Sequence, residues 1–151
     1  MIEEESSYAQ NEWGRVGRRS QPSAKEKDII DRAIAAASIE SGVPPSAIVG
    51  RKRLERYIAP RFIVYKLCMD SKAIKLSHLG NFLGRDHGAV WHGIKAMTDW
   101  LESNDRSRDK FRELYERTEK RYKEYESDPE RMVQELSVYD GRQGDDLPPE
   151  A

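Results

Sequence analysis

The fold class predicted from the sequence is all-α, a helix-turn-helix followed by a long C-terminal helical extension, and three observations predict it. Leu76, Leu79 and Leu83 fall at helical spacing, and so do Val90, Ile94, Met97 and Leu101 just beyond. Gly84 separates the two stripes, and two short helices joined by a glycine turn make a helix-turn-helix. Further on, Phe111, Leu114, Tyr115, Thr118, Tyr122 and Tyr125 recur at threes and fours in a strongly charged stretch, which predicts one long amphipathic helix over residues 105–127.

Length and composition bound what surrounds these elements. A chain of 151 residues holds one domain of ordinary size with polar tails. With 37% hydrophobic against 35% charged residues, its core must be small for its length. A lone Cys68 excludes an intramolecular disulfide, and no Cys/His set has zinc spacing, so neither a structural nor a catalytic metal is expected. Met1-Ile2-Glu3-Glu4-Glu5 has no basic start and no apolar run, against a signal peptide. No apolar run approaches the roughly 20 residues that span a bilayer, so no membrane partner is expected and a reducing cytoplasm fits best.

A net charge of −1 hides a segregation along the chain. From Ile48 to Lys95 ten basic residues stand against three acidic ones, a balance of +7; from Glu126 onward two basic stand against eight acidic, a balance of −6. A basic centre with an acidic tail is the feature that bears on partners.

In chain order, residues 1–23 have too few apolar side chains to offset the entropy of ordering and read as a disordered arm. Within it, Arg15 to Arg19 offer a weak phosphate-contacting run. The first helix begins with Ser23 as N-cap and Glu26 closing a capping box, buries Ile30, Ala33, Ile34 and Ala37 with Ile39 as a further candidate, and stops at Gly42 before Pro44-Pro45. Ser46 is expected to cap a short helical turn carrying Ala47, Ile48 and Val49. Of the six residues from Arg51 to Arg56, four are basic. Cations so close repel one another, and a polyanion would offset that; the bland alternative is a solvated loop. Pro60 is expected in the first turn of the next helix, which runs to about Lys72 on Phe62, Ile63, Tyr65, Leu67 and Met69 as the central core helix. Beyond the helix-turn-helix and the long helix, Asp128-Pro129 opens a last helix through Leu136, and the acidic end reads as disordered. The expected division is 1–23 arm, 24–103 domain, 104–138 extension and 139–151 tail.

The segment from about Lys25 to Leu101 resembles the C-terminal DNA-binding domain, domain IV, of the bacterial replication initiator DnaA, a helix-turn-helix of Trp repressor-like kind. The residues that carry the resemblance are Gly42-Val43, Arg51-Lys52-Arg53, Ala59-Pro60-Arg61, Leu79-Gly80, and above all Gly84-Arg85-Asp86-His87 with Val90 and His92. The resemblance implies double-stranded DNA as partner. The helix from His87 enters the major groove, Asp86 and His87 meet base edges, and Arg53 reaches into the adjacent minor groove. Arg51, Lys52, Arg61, Arg85, His92 and Lys95 are then the phosphate contacts. Asp86 has a second reading as N-cap of its helix, compatible with the first.

Two departures shape the expectation. Gly88-Ala89 stand where the family typically has Thr-Thr, so hydroxyl contacts to bases cannot form there, and one lost base contact shifts discrimination by ~1–3 kcal/mol. No Gly-x-x-x-x-Gly-Lys-Ser/Thr loop occurs, so the initiator's ATPase motor is not expected, nor ATP or any other cofactor. No nucleophile with a positioned base is recognisable, and an enzyme is the least expected class. The expected function is sequence-selective DNA binding that regulates replication initiation or transcription, by a cytoplasmic, nucleoid-associated protein. The alternative is an adaptor acting through helix 105–127, by a protein partner or self-association.

Overall fold

A computed structural model describes residues 21–139. Among them all regular structure is helical: α1 (Ala24–Ser41), α2 (Pro45–Val49), α3 (Glu55–Asp70), α4 (Leu76–Leu83), α5 (His87–Glu102), α6 (Asp109–Ser127) and α7 (Pro129–Leu136), with 3-10 turns at Arg106–Arg108 and Ser137–Tyr139. The expectations for residues 1–20 and for the tail from 140 onward, the Arg15 to Arg19 run included, lie outside the described residues.

The start and stop of α1 follow the sequence. The Ser23 hydroxyl accepts the Glu26 amide at 3.2 Å while the Glu26 carboxylate accepts the Ser23 amide at 2.8 Å, and Gly42 ends the helix at φ +78°. Its buried surface is wider than one stripe. Besides Ile30, Ala33, Ile34 and Ala37, both Ala35 and Ala36 are fully buried, because Tyr125 of α6 packs there with Tyr122, Met132 and Leu136 around it. Alanine leaves room for a second layer of helices on the far side of α1. The central position expected of α3 alone is therefore shared: α3 packs on α1 and α5, while α1 is covered by α2, α3, α6 and α7.

Two helix starts differ from expectation. Pro45, not Ser46, opens α2; its fixed φ and missing amide suit the first helical position, and Ser46 lies inside the helix with no capping role. Helix α3 begins at Glu55, before Pro60, and ends at Asp70. Leu54 takes the extended cap conformation and Tyr57 and Ala59 are buried, so core packing pulls the helix start toward the basic loop. Pro60 then sits in the second turn, where its ring removes the amide that would bond to the Arg56 carbonyl.

The helix-turn-helix is formed as the stripes require. Val90, Ile94 and Met97 of α5 and Leu79 of α4 are buried, with Leu76, Leu83 and Leu101 packed against them. Two glycines permit the close approaches. A Cβ on Gly80 would lie 2.8 Å from the Arg85 carbonyl oxygen, and one on Gly93 would lie 2.7 Å from the Phe62 ring of α3. Gly84 makes the turn at φ +67°.

The charged extension returns to the domain. A 3-10 turn, with the Asp105 carboxylate accepting the Ser107 amide, precedes α6, which starts at Asp109 rather than Asp105. Tyr115, Thr118 and Tyr125 are buried, and Arg117 and Arg121 both reach Glu40 of α1. The Arg121 guanidinium also meets Glu135 of α7 at 2.7 Å, and Asp128 caps α7 by accepting the Arg131 amide. The aromatic stripe thus packs back on the domain, Tyr122 and Tyr125 against α1, Tyr115 toward Asp70 of α3 and Phe111 against Trp100 of α5.

Candidate nucleic-acid interface

The basic loop and the helix-turn-helix turn, some thirty residues apart in sequence, are fastened to each other. Arg51 Nη2 donates to the Gly84 carbonyl at 3.1 Å, and the Arg85 guanidinium donates to the Gly50 carbonyl in return. This reciprocal clasp closes one side of a polar concavity of about 450 Å³ lined by the Gly84 turn and by the side chains of Arg51, Ser77, Asn81, Arg85, Asp86 and His87. Four of those six were read from the sequence; Ser77 and Asn81 were not. Their signal was available, since they sit four apart on α4, opposite its leucines.

Asp86 occupies the N-cap position of α5, yet its side chain makes no capping bond. Its carboxylate is instead 79% exposed, beside a His87 ring that is 70% exposed and 4.0 Å away. An uncapped helix start presents unbonded amides, a natural seat for an anion, and a free carboxylate there can accept from a cytosine amino group. Further along the same face lie Trp91, His92 and Lys95, all exposed. Trp91 is 53% exposed, one turn after His87 and one before Lys95. Sequence reading passed it over; a tryptophan on the polar side of an amphipathic helix was the sign. His92 stands edge-on to the Phe62 ring, 6.5 Å between centroids, which fixes its direction.

The candidates in and after the basic loop separate into two groups. Arg51, Lys52 and Arg53 are exposed. Arg61 is not: it is 4% exposed, and its guanidinium donates to the carbonyls of Ile48 at 2.8 Å, Ala47 at 2.9 Å and Lys52 at 2.9 Å. The role of Arg61 is thus to hold α2 and the basic loop onto α3 from inside, where a backbone phosphate does not reach it. Burial lowers its pKa from the usual value, and the neighbouring cations Arg85 and Arg53 lower it further. The same repulsion raises the attraction of this surface for a polyanion.

Glu26 anchors the far end of the unit. Besides closing the α1 cap, its carboxylate meets His78 Nδ1 of α4 at 3.0 Å and accepts the Lys75 amide at 3.3 Å. Among the described residues no group of His, Cys, Asp and Glu is placed to hold a metal ion, and no helix is long and apolar enough to cross a membrane.

Fold and surface together define an all-α helix-turn-helix domain with a basic loop locked beside its second helix. Over 86 residues the chain is 31% identical to chromosomal replication initiator protein DnaA 1 of Chlamydia trachomatis, covering 57% of this chain and 19% of that protein. It is 32% identical over 96 residues to DnaA of Herpetosiphon aurantiacus, 63% of this chain and 20% of that one, and 36% identical over 59 residues to DnaA of Deinococcus deserti. These matches support a DnaA-related segment in this chain. The chain spans about a fifth of the length of the first two relatives. No family model matches it, and no solved structure does.

Proposed function

We propose that this chain binds double-stranded DNA with sequence selectivity, through α5 in the major groove and the basic loop beside it, and that it regulates the initiation of replication. The observation that carries the reading is the Arg51–Gly84 and Arg85–Gly50 clasp, which sets the loop and the uncapped, exposed Asp86-His87 start of α5 in one fixed footprint. Asp86 and His87 read base edges, Arg53 enters the neighbouring minor groove, and Arg51, Lys52, His92 and Lys95 contact phosphates. Arg85 is half-buried and acts mainly by holding the loop. The similarity to proteins named chromosomal replication initiators supports the replication role.

The test is a selection from random duplex DNA with the full chain at two salt concentrations. An enriched motif that persists at the higher salt is the expected result. Binding without enrichment, steeply lost with salt, would reduce the protein to a non-specific polyanion binder.

A further inference from the structure

One large apolar side chain stands out from the reading face of α5 while the rest of that helix's apolar set is turned into the core. Trp91 is 53% exposed, the only aromatic among the exposed large hydrophobics of the described residues; Val49, Leu54, Val133 and Val138 lie elsewhere. Val90, Ile94 and Met97 are buried. His87, Trp91 and Lys95 follow one another at four-residue intervals, so the indole sits between a base-edge reader and a phosphate contact on one side of the helix. Among the described residues no ring stacks on the indole and no cation lies over it. Gly88, one turn earlier, is equally open: a Cβ there would meet only the Asp86 carboxylate within 4 Å. No side chain of that position stands between the indole and a groove.

We propose that Trp91 is a specificity-determining residue that reads the 5-methyl group of a thymine in the major groove. The assignment rests on the duplex binding proposed above and names a base contact beyond those of Asp86 and His87. The chemistry of the groove selects the ligand. Base edges there are donors and acceptors except for one apolar group, the thymine methyl. An indole has a single N–H donor and no acceptor, so it cannot accept from the amino groups of adenine or cytosine, whereas its ring covers a methyl well. Removing both from water is favourable, and Trp91 is the one large apolar surface that α5 offers for it. Position follows from helix geometry. Four residues separate Trp91 from His87, a rise of ~6 Å against a base step of ~3.4 Å, which sets the thymine within about two base pairs of the base that His87 meets. Where Gly88-Ala89 supply no hydroxyl, discrimination thus comes from an apolar contact one turn further on.

The experiment titrates the full chain at fixed salt against the duplex enriched by selection, and against duplexes in which one thymine at a time, on either strand, is replaced by deoxyuridine. That exchange removes the methyl and keeps the base pairing. The parent chain is expected to lose about fourfold in affinity at one thymine, the loss that goes with returning one buried carbon to water. Trp91→Ala binds the thymine duplex more weakly and no longer distinguishes thymine from deoxyuridine at that position, while its preferences at every other thymine match the parent's. Trp91→Phe, which keeps an apolar ring, retains part of the discrimination. A thymine preference that survives intact in Trp91→Ala, or a parent chain indifferent to every deoxyuridine exchange, overturns the assignment and leaves duplex binding standing. A selection that enriches no motif overturns the sequence-selective reading and this assignment together.

Discussion

Arg51 reaches across thirty-three positions of sequence to donate a 3.1 Å hydrogen bond to the carbonyl of Gly84, the residue that turns α4 into α5. Because Gly84 sits at φ +67°, its carbonyl is turned toward the loop rather than along a helix axis. The basic loop is therefore tied to the start of α5, and Arg53, two residues on, is held near it.

Arg53→Ala and His87→Ala are expected to lower duplex affinity by ~1–3 kcal/mol each, with unchanged helical circular dichroism, since both side chains are exposed. Titration against a selected duplex at fixed salt checks it. Full affinity in both variants would remove the two-groove footprint.

Arg61 and Lys95 are expected to part company. Lys95→Ala weakens binding uniformly across sequences and reduces the salt slope by about 1, as loss of a phosphate contact does. Arg61→Ala leaves three carbonyls without their donor and destabilises the fold by about 3 kcal/mol, read as a lower denaturant midpoint. At a temperature where it remains folded, its salt slope matches that of the parent. A slope reduced by Arg61→Ala would restore it to the DNA contacts.

Two glycines give opposite signs under one substitution. Gly80→Ala gains ~1 kcal/mol of helix propensity but drives a Cβ to 2.8 Å from the Arg85 backbone oxygen, and destabilises by ~1–3 kcal/mol net. Gly88→Ala meets only the exposed Asp86 carboxylate at 3.0 Å, which swings aside, and stabilises by ~0.5–1 kcal/mol. Thermal melting of the pair decides, and a stabilised Gly80→Ala variant would contradict the turn geometry.

Glu26 makes stability depend on acid pH. The Ser23 amide holds its carboxyl down to about 2 against the opposing pull of burial, with His78 and the Lys75 amide helping. A carboxyl depressed in the folded state contributes stability above its unfolded value near 4.5 that is lost as pH falls toward 2. Glu26→Gln should therefore melt lower than the parent at pH 7, by ~1–2 kcal/mol as for loss of a helix cap, and the gap should close across that window. A gap constant with pH would mean the carboxylate charge is not what holds α4 to α1.

The sequence by itself determined the helices, because their signals are local: the Ser23-Glu26 box, the Gly42 and Gly84 stops, the three-and-four spacing of Val90, Ile94 and Met97, and the Asp128 cap each act within a few residues. It also singled out Arg51 in one stretch and Arg85, Asp86 and His87 in another, which the fold gathers around one concavity. Only the tertiary structure decided what each charge and each face does. Pro60 was displaced from a helix start because buried Tyr57 lengthens α3 toward the loop. Ala35 and Ala36 became core because α6 and α7 fold back over them. Arg61 and Arg53 are the same residue type eight positions apart, and the residue type alone does not tell them apart. One is enclosed by the carbonyls of Ala47, Ile48 and Lys52 while the other is left in solvent, because burial is a property of what the rest of the chain brings near.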